Sequence, residues 1–245
     1  MFENIKTIWR AETMNVLFKE IRQGNIENIR ERIEKNPAVV NEVFTGKKPL
    51  KDIGQSPLQV ALKCAEFDII DLLLNNGADP DFIENPSQVP PGSMCCPVIS
   101  DAIKYAMDTL LYTGTKHIEQ SLRYVGIIER LLVLGADPNK KRIDKNPINN
   151  WQPLGVLAAG GNYILKRTRS DDPEAYCIAN KNIITILDLL IKYGADVEDW
   201  LDNGVWGDES NRKAYLDDFE IKDEVDFNRE IRTIFQEYFN RQTNT

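Results

Sequence analysis

The chain has 245 residues, 42% of them hydrophobic and 28% charged, with a formal net charge of −8. That is a globular composition, long enough for one large domain, two small ones or one repeat array. The acidic balance argues against nonspecific nucleic-acid binding, and no apolar run approaches the roughly 18 residues of a membrane span. The first twelve residues, "MFENIKTIWRAE", carry charges and lack the apolar stretch of a secretory signal. Cys64, Cys95, Cys96 and Cys177 have no framework spacing, so a reduced, cytoplasmic compartment is expected.

In chain order, Met1 to Asn15 predicts a helix with Ile5, Ile8 and Trp9 on one face. "LFKEIRQGNIENIRERIEKNPAVVNEV", Leu17 to Val43, predicts a helix pair whose second member carries Ile26, Ile29 and Ile33. "SPLQVALKCAEFDIIDLLLNNGADPDF", Ser56 to Phe82, is a clearer pair, with Leu58, Ala61, Leu62 and Ala65 and then Ile69, Ile70, Leu73 and Leu74 at helical spacing. Ser56 and Pro57 fit an N-cap and first turn. Gly77 fits a left-handed helix end. The segment "IIDLLLNNGADPD" recurs as "IIERLLVLGADPN" from Ile127 and as "ILDLLIKYGADVE" from Ile186. Each short helix has one apolar face that neighbouring copies must bury, which predicts a stacked array.

"SPLQVA" and the following "GAD" resemble the ankyrin repeat closely, and the chain is identified as a member of that family with about four repeats. The resemblance implies an all-α solenoid of antiparallel helix pairs. Repeats are expected at about 16–43, 56–82, 97–139 and 152–198 within a single domain spanning 1–245. Val16, Pro57, Val98 and Pro153 take the family's Pro position, and Asn36, Gly77, Gly135 and Gly194 its terminal Gly position. The family unit is about 33 residues, whereas the glycines at 77, 135 and 194 stand 58 and 59 positions apart. Connections between repeats (the fingers) are five to eight residues long in excess, and helix pairs three and four are longer by about 20 residues. The extra residues predict elongated helices meeting at Gly114 and at "SDDP", with about eight extra residues, or 12 Å, per helix. Repeats three and four would then project past repeats one and two.

The C-terminal section divides. Glu198 to Asp226 holds eleven acids and three bases, and the carboxylates Asp217, Asp218, Glu220, Asp223, Glu224 and Asp226 lack EF-hand order. They read as a solvated acidic surface. Phe227, Ile231, Ile234, Phe235, Tyr238 and Phe239 then form the stripe of a capping helix.

Catalytic and cofactor motifs are missing from the sequence. His117 is the single histidine, and Cys95 and Cys96 are adjacent rather than spaced as C-x-x-C. No phosphate-binding glycine motif occurs; "AAGGNY" is the repeat's own helix junction. The expectation is no enzyme, no metal and no cofactor.

The resemblance implies instead that finger tips and first helices bind another protein. First-helix positions for such a face are Lys63, Lys104, Tyr105 and the segment around Gly160. The fingers add Lys47, Lys48 and Lys51 in "TGKKPLK", and Lys140, Lys141, Arg142, Lys145 and Trp151 in "NKKRIDKNPINNW". The fourth pair's extension adds Lys166, Arg167 and Arg169. A basic rim facing an anionic partner, with Trp151 or Tyr105 as aromatic anchors, is one expectation. A stoichiometric inhibitor or adaptor, such as a bacterial immunity protein or phage-type antagonist whose acidic section engages a basic toxin, is the leading functional reading. Capture of a nucleotide or other anionic ligand by the basic fingers and Lys166 to Arg169 is the alternative.

Overall fold

A computed structural model describes residues 16–112, 114–145, 151–169, 171–197, 231 and 233–238. The acidic section and the N-terminal helix expectation lie outside the described residues. Among those described there are helices and no β-strand. The chain divides into two compact units, Met1–Asp101 and Ala102–Thr245.

The first unit contains α1 (residues 16–22), α2 (Ile26–Lys35), α3 (Pro57–Cys64) and α4 (Phe67–Asn75), with short 3-10 turns at Pro37–Asn41 and Leu50–Asp52. α3 starts as its sequence requires. Ser56 Oγ accepts from Gln59 N at 3.2 Å and Gln59 Oε1 accepts from Ser56 N at 3.2 Å, a reciprocal cap over Pro57. Of the expected apolar stripe, Leu58, Ala61, Leu62, Ile69, Ile70, Leu73 and Leu74 lie in the core, whereas Ala65 is half-buried and ends α3 in the left-handed conformation, φ 56°. Each large member contributes on the order of 1.5–3 kcal/mol of transfer free energy. α4 packs against α3 within the pair and against α2 of the preceding pair, which is the stacking that the repeats predict.

Gly77, Gly135 and Gly194 end their helices in one way. Each has positive φ (83°, 100° and 92°), and the following Ala amide reaches back to Leu73, Leu131 or Leu190 at 2.8–3.0 Å. This double backbone closure satisfies the last carbonyls and requires a left-handed residue. Asn36 departs from that pattern. Its φ is −151°, and its side chain accepts from Ala38 N to open the next 3-10 turn.

The second unit holds the longer helices. α5 (Val98–Asp108) begins at the end of the first unit and is followed by α6 (Thr115–Val133), α7 (Pro153–Thr168) and α8 (Pro173–Lys192). The turns fall where expected, at Gly114 (φ 110°) and at Asp172, which caps α8 by accepting from Ala175 N at 3.0 Å. The equal sharing of the extension does not hold in the third pair. α5 has 11 residues against 8 in α3, while α6 has 19 against 9 in α4. α5 stops because the chain tightens into a 3-10 turn at Thr109–Leu111. In the fourth pair α7 has 16 residues and α8 has 20, so both members are long.

α8 packs on α7 and on α6. A Cβ on Gly161 would stand 2.9 Å from Ile183 Cδ1 and 3.1 Å from Ile231 Cδ1, so the absence of a side chain lets α7, α8 and the C-terminal helix close up. Ile231 and Phe235 are buried, as the expected capping stripe requires. Ser121 Oγ donates to Ala106 O at 2.5 Å and accepts from Asn182 Nδ2 at 2.8 Å, which ties α5, α6 and α8 together through the core.

Candidate binding surface

Arg22, Lys63 and Lys104 occupy the same position in three successive first helices, six residues after Val16, Pro57 and Val98. Of the three, Lys63 and Lys104 were expected at exposed first-helix positions. Arg22 and Lys63 are engaged within the first unit. Asp52, in the first finger, is fully buried and takes Arg22 Nη2 on one oxygen and Lys63 Nζ on the other, the latter at 3.1 Å. Lys63 Nζ also donates to Lys51 O at 2.8 Å and to Gln55 Oε1. Arg22 Nη1 donates to Phe18 O at 3.0 Å. Burial lowers the pKa of the Lys63 ammonium, with Asp101 opposing the shift, and burial likewise lowers that of Arg22. Lys63, expected as an exposed groove residue, is therefore a half-buried brace. Lys104 pairs with Asp108 at 2.5 Å on its own helix.

The brace continues into the second finger. Gln55 Nε2 donates to Glu84 Oε1 at 3.2 Å, and Glu84 Oε2 accepts from Cys96 N at 2.7 Å. Gln59 Nε2 closes the chain of contacts on Cys96 O at 2.9 Å and Asp101 Oδ2 at 3.2 Å. The first finger itself is held by Phe44 N to Gln55 O and Gly54 N to Phe44 O, both 2.9 Å, and by the edge-to-face contact of Phe44 on Phe18 at 5.0 Å. Gly54 has φ 86°, and a Cβ there would meet Val89 Cγ1 at 2.5 Å, so the second finger lies tightly on the first. A charge pair this buried adds little net stability. What it fixes is position: the Leu50–Asp52 turn is pinned to α1 and α3.

Outside that pinned turn the finger is basic and open. Lys47, Lys48 and Lys51 are exposed and make no ion pair among the described residues. Leu50 is 66% exposed beside them. Between α1 and the finger lies an open pocket of about 520 Å³ lined by Lys19, Arg22, Gln23, Phe44, Lys48 and Pro49. No carboxylate lines it. Of these residues only Lys48 was an expected site residue. Lys19 and Arg22 were legible as an i, i+3 pair on one face of α1; Phe44 and Pro49 carried no signal because the finger's path is not periodic.

In the second unit the expected residues fall into separate groups. Tyr105 is half-buried against Tyr124, with ring centroids 5.8 Å apart, and Lys104 Nζ sits 5.2 Å from the Tyr105 ring. In the third finger, Arg142 N donates to Trp151 O at 3.0 Å and its guanidinium lies 4.7 Å from the Trp151 ring, so the anchor and the cation hold each other. Lys140 is half-buried and Lys141 exposed. Lys166, Arg167 and Arg169 are exposed at the C-terminal end of α7, where cations also complement the helix dipole. His117 lies in the first turn of α6 with its ring 5.3 Å from that of Tyr112. All four cysteines are free thiols. Among the described residues, no group of three or more His, Cys, Asp or Glu could hold a metal ion, and no helix is long and apolar enough to cross a membrane.

No curated protein matches the chain. The ankyrin repeat family model matches residues 54–82. That span holds Ser56 and Pro57, the capped α3, α4 and the left-handed Gly77, and those features together are what the family pattern encodes. Residues 54–82 are therefore similar in sequence and in local structure to an ankyrin repeat.

Proposed function

We propose that the chain is a non-catalytic protein-binding module, a stoichiometric inhibitor or adaptor that holds the anionic face of a partner protein on its basic fingers. A bacterial immunity protein or phage-type antagonist is a narrower form of the module, in which the acidic section Glu198 to Asp226 would engage a basic toxin. The observation that carries it is the first finger. A buried carboxylate shared by two first-helix cations fixes the finger's position, while Lys47, Lys48 and Lys51 are left outward and unpaired. A finger ordered before binding loses little entropy on association, so its lysines and Leu50 convert efficiently into affinity. Exposed cations also speed encounter with an acidic partner.

The test is affinity capture from the native host with the full chain as bait, followed by a binding titration of the recovered protein. The joint Lys47→Glu and Lys48→Glu variant should bind about tenfold or more weakly, with a flatter salt dependence. Recovery of no protein partner under conditions that keep weak complexes would sink the proposal. The second reading, a nucleotide or other small anion, draws on the open basic pocket and predicts a rise in melting temperature with nucleotide.

A further inference from the structure

Resting on the binding-module reading, we infer that the pocket between α1 and the first finger is a socket for a carboxylate side chain on an acidic, leucine-like segment of the partner protein, with Leu50 as the adjoining apolar anchor. The charge arrangement selects an anion. Lys19 and Lys48 stand exposed and unpaired at the pocket wall, while Arg22 is engaged by Asp52 and Phe18 O and forms the back of the pocket. The surroundings select a carboxylate over a phosphate. Lys19 and Arg22 lie in the last turn of α1, where the helix presents carbonyl oxygens and partial negative charge, the opposite of the amide cradle that phosphates prefer. Asp52 behind Arg22 adds a further cost for a dianion.

The floor selects a protein segment over a free small acid. Pro49 offers apolar surface in front of the buried Phe44, and about 520 Å³ is larger than one carboxylate requires. Leu50, 66% exposed on a pinned turn, has no use inside the first unit and suits an apolar hollow next to the acidic residue. A rigid apolar knob beside a desolvated charge contact is the usual composition of an interface hot spot.

The full chain, labelled with ¹⁵N, is titrated with a synthetic peptide of repeated Glu-Leu units, with its Gln-Leu counterpart and with inorganic phosphate. The Glu-Leu peptide is expected to move the amide resonances of Phe44, Lys48 and Lys51, and the Gln-Leu peptide to leave them in place. Lys19→Gln and Lys48→Gln should each weaken the peptide by about tenfold, and Leu50→Ser by less. An unmoved Phe44 and Lys48 at saturating Glu-Leu peptide overturns the socket. So does phosphate that moves the same amides and displaces the peptide, which assigns the pocket to a small anion. If a variant loses its fold by circular dichroism, the resonance map of the unaltered chain still decides. Partner capture run in parallel separates the two proposals. A partner retained by Lys19→Gln and Lys48→Gln removes the socket and leaves the binding module. A peptide that binds while no partner is found removes the module and leaves the socket.

Discussion

The two compact units share their junction chemistry and differ in what holds the helix pairs together. In the first, Asn41 Nδ2 donates to Gly77 O at 2.8 Å and its Oδ1 accepts from Asp79 N at 2.7 Å. In the second, Asn139 makes the same two contacts with Gly194 O and Asp196 N, at 2.8 and 2.7 Å. One side-chain amide thus straps the first finger, and another the third, to the helix end of the next repeat. Beyond this strap the units diverge. The first, with helices of 8 and 9 residues in its second pair, is braced by charged and amide groups around Asp52. The second, with helices of 16 and 20 residues in its last pair, relies on close apolar contact at Gly161 and on the Ser121–Asn182 bridge. Short helices with long fingers leave a groove that must be filled by groups able to hold the finger, and those groups are polar.

The largest expected effect breaks the brace. Asp52→Ala leaves Arg22 and Lys63 without their shared carboxylate, a loss of about 3 kcal/mol, at the low end for buried pairs because both cations keep some contact with water. Hydrogen exchange should show the loss in the first unit while α7 and α8 keep their protection; uniform loss would mean that the units do not respond separately. Next is Gly161→Val, which forces side-chain atoms into Ile183 and Ile231 and should cost about 2 kcal/mol, read by chemical denaturation. Gly160→Ala is its control: the new Cβ meets Met107 at an ordinary 3.4 Å and the helix gains propensity, so stability should hold or rise by up to about 1 kcal/mol. Smaller still, Asn41→Ala and Asn139→Ala should each cost about 1 kcal/mol, since their carbonyl and amide partners can turn to water. Unequal costs would show that the straps are not equivalent. The smallest test is chemical. Burial holds the Cys64 thiol above its ordinary pKa, and Cys95 is buried, so alkylation followed by mass spectrometry should label the exposed Cys177 first.

Much of the fold was legible. Ser56, Pro57 and Gly77 act through backbone geometry within a few residues, and local rules read such residues well. The apolar stripes of α3, α4 and the C-terminal helix were readable because helical periodicity says which face must be buried. Asn36 broke its assigned role because a side chain that can cap the next turn competes with the left-handed ending. The third pair's extension was misapportioned because the sequence between Asp108 and Gly114 stays apolar through the 3-10 turn that ends α5.

The candidate site was legible as chemistry and not as arrangement. The sequence by itself determined that the fingers are basic and that capped pairs of helices end at glycine. Only the tertiary structure decided which cations are available. Asp52 lies thirty positions from Arg22 and eleven from Lys63, and no local pattern announces that one carboxylate will serve both. Charge counts are additive along a chain, whereas neutralisation depends on contact. Folding brought one acid from a basic finger under two groove cations and left Lys19, Lys47 and Lys48 facing outward.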